Sequence, residues 1–247
     1  MHLMNLLKNI FARFWAAWGL LTFLISFLII FLPAMAAYLI PDPAGQAYFI
    51  RLSRYWMNVW LFLIGCPVKV TGRENFVIGQ TYVVVFNHNT LLDIPLSCPY
   101  IPGPNKTIAK NSFANIPLFG WFYRKGSVLV DRKSEKSRMK SFQDMKEVLT
   151  QGFHMCIYPE GTRNRSNEPL KAFYDGAFKL AVATNSSIIP SVILGTPKAM
   201  PVNRFFYLLP VRLRMHFMPP VGVGNKEVKE LKEEVFGMMK DYYVRNR

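Results

Sequence analysis

The chain changes its hydropathy pattern near residue 65. Between Phe14 and Pro41 no side chain is charged, and the centre of that run, residues 20–32, is apolar around the whole circumference of a helix. A helix without a polar face belongs in lipid or in the centre of a large protein. The pattern favours a retained membrane segment. A cleaved signal peptide is the alternative, but the run is longer than a signal peptide's apolar region.

A second helical stretch is expected over residues 47–64. Pro33 predicts a kink or an end of the first helix, and residues 41–45 predict a turn. The second stretch contains only 14 uncharged residues, between Arg54 and Lys69, which are too few to cross a bilayer comfortably. Basic residues flank both helices and favour the cytoplasmic side. We therefore expect residues 1–64 to form a two-helix membrane anchor on the cytoplasmic face of the inner membrane, as a one-leaflet hairpin or a tilted two-span arrangement.

Beyond Gly65, short β-branched runs alternate with helical segments. Three segments predict helices, at residues 133–149, 176–184 and 226–243. Such alternation predicts an α/β domain over residues 65–247, in which a mixed, mostly buried β-sheet is flanked by helices. The runs that predict strands are residues 68–70, 82–86, 107–109, 127–130, 155–158, 188–194 and 212–217.

The amino-acid composition indicates a folded protein with an anionic partner. Of 247 residues 51% are hydrophobic, and the mean hydropathy is +0.14, which excludes a disordered chain. The chain has 30 Lys and Arg against 15 Asp and Glu, a formal charge of +15, which predicts an anionic partner such as nucleic acid, an acidic protein or a membrane. Cys66, Cys98 and Cys156 are far apart and odd in number, so neither a disulfide framework nor a zinc site is expected.

The loop after the second predicted strand carries a histidine and an aspartate. His88 follows the strand directly, and Asp93 stands five positions later. If the intervening residues form one turn, the carboxylate can return to one imidazole nitrogen and leave the other free as a general base. An ordinary cap or core hydrogen bond is the alternative for this spacing on its own.

A second polar loop follows the fifth predicted strand, over residues 158–165 (Tyr-Pro-Glu-Gly-Thr-Arg-Asn-Arg). Its glycine allows close backbone approach, its threonine offers a hydroxyl, and its two arginines offer forked donors. These groups suit a phosphate or a carboxylate ligand. A solvated loop without a ligand is the alternative.

Four short blocks occur in order along the chain: His88-x4-Asp93, Lys110 with residues 116–121, Pro159 to Arg163, and Ile189-Pro190. Together they resemble the glycerolipid acyltransferases, and more narrowly the bacterial 1-acylglycerol-3-phosphate acyltransferases of the PlsC type. The likeness covers about residues 65–220 and extends to residues 126–132 and 173–177. Two positions depart from the family pattern, Asn164 in place of a serine and Ser191 in place of an aliphatic residue, and they leave the headgroup preference open.

The resemblance implies transfer of an acyl chain from acyl carrier protein or coenzyme A to the 2-hydroxyl of lysophosphatidic acid. It assigns His88 as the general base and Asp93 as its orienting partner, with no metal and no cofactor besides the thioester. The chemistry agrees, because a thioester is already activated and a positioned base is sufficient. We also expect anionic membrane lipids as partners and no nucleic acid.

The resemblance further implies an acceptor-phosphate site. Arg163 is the candidate for a bidentate phosphate contact, Lys110 would add a point charge, and Arg165 is a weaker candidate. A carboxylate repels a phosphate, so the family's glutamate is expected to hold an arginine or a neighbouring amide in place. The residues expected to line this site are Glu160, Gly161, Thr162, Arg163, Lys110 and Arg165.

Several features leave alternatives open. Residues 113–122 are apolar and predict either a wall of an acyl-chain channel or plain core. His2, His154 and His216 lack a carboxylate in a comparable motif, so we expect structural roles for them. A membrane-tethered nucleic-acid binder, a lipid hydrolase and a non-catalytic scaffold remain the rival classes, although no nucleic-acid module and no serine-nucleophile motif occurs in the sequence.

Overall fold

The computed structural model describes residues 2–131 and 133–247, apart from the side chain of His2. Arg132 and the role expected for His2 therefore lie outside the described residues. The helices are α1 (His2–Met35), α2 (Ala44–Leu63), α3 (Asp93–Leu96), α4 (Phe119–Lys125), α5 (Glu135–Thr150), α6 (Gly176–Thr184), α7 (Thr196–Ala199) and α8 (Val228–Asn246). The strands are β1 (Val68–Thr71), β2 (Val83–Phe86), β3 (Asn105–Lys110), β4 (Ser127–Val130), β5 (His154–Ile157), β6 (Ile188–Leu194) and β7 (Leu213–Phe217).

The seven strands form one mixed sheet in the order β1-β7-β6-β2-β5-β3-β4. Strands β6, β2, β5, β3 and β4 run parallel to one another. Strand β7 pairs antiparallel with β6 and parallel with β1, so two strands at one side run in the opposite direction. The predicted mixed α/β sheet is confirmed, and each predicted strand overlaps an observed one.

The sheet separates two apolar layers. Val84 and Phe86 of β2 belong to a core shared with α1 and α2, whereas Val83 and Val85 belong to a core shared with α5, α6 and α8. All four residues of β2, three valines and one phenylalanine, are fully buried. This near-continuous burial follows from helices that cover both faces of a mainly parallel sheet.

The first helix is 34 residues long and contains Pro33 in its last turn. Proline is tolerated there because the helix ends two residues later, at Met35. Among the described residues this is the one helix long and apolar enough to cross a membrane, with a mean hydropathy of 2.5 over its most apolar window and 28% of that window buried. Soluble core helices and signal sequences also satisfy such criteria, so the helix by itself is weak evidence of a membrane.

The second helix packs against the first helix and the sheet, and the two-helix membrane anchor stays a prediction. Its inner face packs on α1 and on the sheet core through Trp56, Trp60 and Leu61. The indole of Trp60 donates to the Gly19 carbonyl at 3.0 Å, and that of Trp56 donates to Ser26 Oγ at 2.9 Å. Both tryptophans therefore fix α2 against α1.

The apolar stretch 113–122 forms neither a plain core segment nor a regular strand. A short 3-10 turn (Asn111–Asn115) leads into α4, and Leu118 between them has a φ of +60°. Phe119 and Phe122 pack on the core beneath α1, whereas Trp121 is 60% exposed. One apolar side of this stretch therefore packs on the protein core, and a second apolar side is exposed at the surface.

Two other histidines have structural surroundings. His154 is buried and its Nδ1 accepts the backbone N–H of Tyr82 at 3.1 Å. Burial lowers the pKa of His154 to about 4, so its imidazole is neutral near pH 7. His216 contacts Thr71 Oγ1 at 2.9 Å through Nδ1 and stacks on Tyr242. Both placements agree with the expected structural roles.

The packing of α2 makes a prediction about stability. Leu61 is 1% exposed and its neighbour Phe62 is 77% exposed. We expect Leu61→Ala to lower the free energy of unfolding by about 2–5 kcal/mol, because it leaves a cavity under the sheet. Phe62→Ala is the matched control and should change it by less than about 0.5 kcal/mol. Denaturant unfolding in a mild detergent measures both, and equal effects would contradict the assignment of α2 to the core.

Candidate active site

The carboxyl ends of the five parallel strands bring several polar loops to one edge of the sheet. His88 follows β2, the loop 158–165 follows β5, Thr196 follows β6, and Lys110 ends β3. In open α/β sheets ligands bind at this edge. Strands β6 and β5 are the direct neighbours of β2, so Thr196 and the loop 158–165 lie next to His88. Strand β3 lies one strand further from β2, so Lys110 is more distant.

His88 and Asp93 contact each other directly. His88 Nδ1 lies 3.0 Å from Asp93 Oδ2. The chain between them forms a tight turn, in which the amide of Asp93 donates to the Thr90 carbonyl at 3.4 Å before α3 begins. The carboxylate returns to an imidazole nitrogen, as the five-residue spacing predicts.

The Asp93 carboxylate is fully buried and surrounded by donors. Its Oδ2 accepts the amides of Asn89 at 2.6 Å and Thr90 at 2.7 Å in addition to the His88 contact. Its Oδ1 accepts the hydroxyl of Thr196 at 2.6 Å. A buried charge is tolerated where hydrogen bonds replace its hydration. These contacts hold the carboxylate in one orientation toward His88.

The His88 ring is partly accessible and is supported from one side. Its side chain is 14% exposed, and Nε2 makes no hydrogen bond with any residue in the described ranges. The Tyr158 ring lies 4.5 Å from the imidazole, centroid to centroid, and its hydroxyl donates to the Asp93 carbonyl at 2.9 Å. Burial raises the pKa of Tyr158 well above its usual value, so it stays a neutral phenol.

The loop 158–165 lies against the His88 turn through backbone contacts. The amide of Asn164 donates to the His88 carbonyl at 2.7 Å. Gly161 has a φ of +69°, and a Cβ there would lie 2.8 Å from the Tyr174 ring, so both conformation and space require glycine. Asn164 Oδ1 in turn accepts the amide and hydroxyl of Ser166. The asparagine that departs from the family pattern thus shapes this loop.

Glu160 joins three segments of the site. It is fully buried, its Oε1 accepts the His88 amide at 2.7 Å, and its Oε2 accepts the Lys171 amide at 3.0 Å. Burial raises the pKa of Glu160 to about 7, against the opposite effect of these two N–H donors. The carboxylate therefore holds neighbouring amides and has no open side toward a phosphate.

The expected phosphate ligands are distributed along the same edge. Thr162 and Arg165 are exposed and Arg163 is half-buried, while the exposed side chain of Lys110 stands at the end of β3. The Lys171 ammonium donates to Thr162 Oγ1 at 2.8 Å and adds a further cation to this loop. Neither arginine makes an ion pair within residues 2–131 and 133–247, so both guanidinium groups remain available for an anion.

Three contributing residues received no role in the sequence analysis: Thr196, Lys171 and Tyr158. Thr196 follows β6 at the carboxyl edge, so the rule that singled out the ends of β2 and β5 also applies to it. Lys171 lies outside the loop 158–165 in the sequence, and its contact with Glu160 places it beside that loop in the fold. Tyr158 is the first residue of the polar loop 158–165, but nothing in the sequence shows that its ring reaches His88.

The sequence is similar to those of known acyltransferases. A family model described as Acyltransferase matches residues 67–194. The chain belongs to the acyltransferase family. A 1-acyl-sn-glycerol-3-phosphate acyltransferase of Chlamydomonas reinhardtii is 31% identical over 237 residues, which cover 92% of this chain and 67% of that protein. A chloroplastic one of Arabidopsis thaliana is 30% identical over 84% of this acyltransferase, which spans only 57% of the plant protein.

A solved structure supports the same fold. The crystal structure of the 1-acyl-sn-glycerophosphate acyltransferase PlsC of Thermotoga maritima has a TM-score of 0.75 and 22% identity, and the match covers 93% of this acyltransferase and 97% of that chain. The match therefore supports the fold over nearly the whole of this chain.

The buried Glu160 makes a prediction about pH. Folding raises the pKa of the Glu160 carboxyl from 4.5 to about 7. Between these pH values the folded protein keeps the proton and the unfolded chain loses it. The free energy of unfolding therefore falls as pH rises through this range. We expect the unfolding free energy of the native protein, minus that of Glu160→Gln, to fall by about 3 kcal/mol between pH 4 and pH 8. Denaturant unfolding at a series of pH values measures the difference. A difference that grows with pH would contradict the assignment.

Proposed function

We propose that this acyltransferase moves an acyl chain from a thioester donor to the 2-hydroxyl of 1-acyl-sn-glycerol 3-phosphate, giving phosphatidic acid, at the cytoplasmic face of a membrane. The contact between His88 Nδ1 and Asp93 Oδ2, with Nε2 left without a protein partner, carries the proposal. The family match and the names of the relatives support the substrate class. Acyl carrier protein or coenzyme A would carry the thioester, and no further cofactor is needed.

In the proposed reaction, His88 Nε2 takes the proton of the acceptor hydroxyl as its oxygen attacks the thioester carbonyl. A carbon–oxygen bond forms, the tetrahedral intermediate collapses, and the carbon–sulfur bond breaks. The imidazolium then returns its proton to the leaving thiolate. Asp93 fixes the tautomer that leaves Nε2 unprotonated and stabilises the positive charge that His88 acquires in between.

Rigidity of the Asp93 carboxylate supports this role. Its two oxygens already accept hydrogen bonds from two amides, one hydroxyl and His88 before substrate binds. Groups fixed in advance need no reorganisation when charge develops on the imidazole, which is how electrostatic stabilisation lowers a barrier. No acyl-enzyme intermediate is required in this scheme.

The acceptor phosphate is proposed to lie between the loop 158–165 and the end of β3. Arg163 would make the bidentate contact, with Lys110, Arg165 and the Thr162 hydroxyl as further donors. Glu160 keeps this loop attached to the His88 backbone through its two amide contacts. Phosphate recognition and the general base are therefore linked through one buried carboxylate.

Membrane association is proposed on two observations. The outer side of α1 is apolar and exposed, with Leu28, Ile29 and Leu32 between 59% and 75% exposed. Beside the dyad, Leu91 is 52% exposed and Ile94 is 45% exposed. An acceptor with one long acyl chain resides in a bilayer, so exposed apolar groups next to His88 suit its delivery.

The first prediction concerns the dyad. His88→Ala should lower acyl transfer by about 100- to 10,000-fold, the contribution of a positioned base, while the protein still folds and binds vesicles. The assay uses labelled acyl thioester with glycerol 3-phosphate, lysophosphatidic acid and a lysolipid without a free phosphate. Full activity of the variant would exclude this mechanism, and release of free fatty acid without an acceptor would indicate a hydrolase.

Thr196→Val gives a graded control for the same prediction. It keeps the shape of the side chain but removes the hydroxyl donor to Asp93 Oδ1. Loss of one hydrogen bond to a charged group is worth about 1.5 kcal/mol, so we expect kcat to fall about tenfold with little change in KM. Thr162→Val removes a hydroxyl that contacts Lys171 instead, and it should leave kcat nearly unchanged.

A second prediction concerns the acceptor phosphate. Arg163→Ala should raise the KM for lysophosphatidic acid about tenfold or more, the value of a lost charge-assisted hydrogen bond. The kcat should stay within about threefold, because the contact is equally present before and during reaction. Lys240→Ala, which removes an exposed cation from α8, controls for net charge. An unchanged KM for Arg163→Ala would refute the assignment.

A further inference from the structure

The amino-terminal half of α5 and the residue pair before it form an exposed basic surface. Residues 133–140 contain four cationic side chains and one carboxylate, Glu135. Met139 lies among them and is 66% exposed. None of the ion pairs within the described ranges involves these cations. We call this the α5 basic surface, and its exposed cations are Lys133, Lys136, Arg138 and Lys140.

The centre of the α5 basic surface, around Met139, faces away from the sheet. The inner side of α5 is buried at Ser141, Met145 and Val148. Lys136, Met139, Lys140 and Gln143 recur at the spacing of three and four residues that places side chains on one side of a helix, opposite that buried side. Together with Glu135 they line a shallow surface groove of about 510 Å³.

The surface lies within reach of the proposed catalytic base, although not in contact with it. Strand β4 ends at Val130 on the same edge as His88, and α5 begins five residues later. Three strand spacings separate β4 from β2, which is about 14 Å across the sheet. A partner bound here can reach His88 only if it presents its reactive group on a long, flexible arm.

A flat membrane does not suit as the partner of this surface. The core under α5 lies on one face of the sheet, and the core under α1 and α2 lies on the other. The axes of α1 and α5 are therefore about 20 Å apart, with the sheet between them. A bilayer that covers the exposed apolar side of α1 leaves the outward side of α5 in water. The α5 basic surface thus favours a soluble anionic partner.

We infer that the α5 basic surface docks an acidic protein that carries the acyl group as a thioester on a flexible arm. The inference rests on the proposed function. Of the two acyl donors that this function allows, it selects acyl carrier protein over coenzyme A. Cations spread over two turns of α5, around an exposed methionine and a shallow groove, match an acidic protein surface with an apolar centre. Coenzyme A is a small ligand, which needs a concave site that encloses most of its surface.

The test compares two double charge reversals. Lys136→Glu/Lys140→Glu reverses the centre of the α5 basic surface. Lys229→Glu/Lys240→Glu is the matched control, because it changes the net charge equally on exposed lysines of α8, on the same side of the sheet. Each protein is assayed with acyl carrier protein and with coenzyme A as the acyl carrier, at 50 and 300 mM salt, with lysophosphatidic acid as acceptor.

We expect the α5 double variant to raise the KM for acyl-carrier protein at least tenfold at 50 mM salt. The KM for acyl-coenzyme A, the KM for the lysolipid and kcat should stay within about twofold, and the control should stay within twofold throughout. The difference should shrink at 300 mM salt, since exposed charges are screened. Met139→Gln alone should raise the carrier-protein KM severalfold, because it removes the apolar centre.

Other outcomes would overturn the inference in distinguishable ways. An equal rise in KM for both donors would indicate a coenzyme A site, and equal effects of both double variants would indicate net charge alone. Reduced binding to anionic vesicles without a change in donor KM would indicate a lipid surface. Native protein that turns over only acyl-coenzyme A overturns the docking surface and leaves the proposed function intact. Native protein that turns over neither thioester overturns both.

Discussion

The buried carboxylate of Asp93 is the interaction on which the candidate site depends. Four donors converge on it from two segments of the chain: His88 and two amides of the same turn, and Thr196 beyond β6. Removing any one of them leaves a charge in an apolar interior with incomplete compensation. The turn after β2 and the end of β6 are therefore held in register by one side chain, and that register determines where the free imidazole nitrogen points.

Much of this architecture was predictable because it follows local rules. The β-branched runs gave all seven strands, and the spacing from His88 to Asp93 gave their contact. The packing of the second helix was less predictable for a physical reason: its inner face is as apolar as a membrane segment, and only the fold shows that α1 and the sheet bury it. Thr196 was overlooked because a partner 103 positions away leaves no periodic signal in the sequence. Burial of Glu160 likewise depends on tertiary contacts that no motif reports.

The two faces of the sheet have different surroundings, and this asymmetry organises the molecule. One face is covered by α1 and α2, whose outer side includes exposed leucine and isoleucine, and the other by α5, α6 and α8, whose outer sides are charged. The net charge of +15 is therefore not a uniform property of the surface. In the proposed reaction, the lipid acceptor and the thioester donor would meet at the open edge between the two faces.

The hydrogen bond from Thr196 also sets when the site can exist during synthesis. Residues 88 to 93 are made early, but the hydroxyl that completes the carboxylate's surroundings lies after β6, the strand that pairs with β2. A nascent chain that has not yet added β6 has neither that strand pairing nor that donor. An incomplete chain therefore lacks one of the four donors that fix the Asp93 carboxylate.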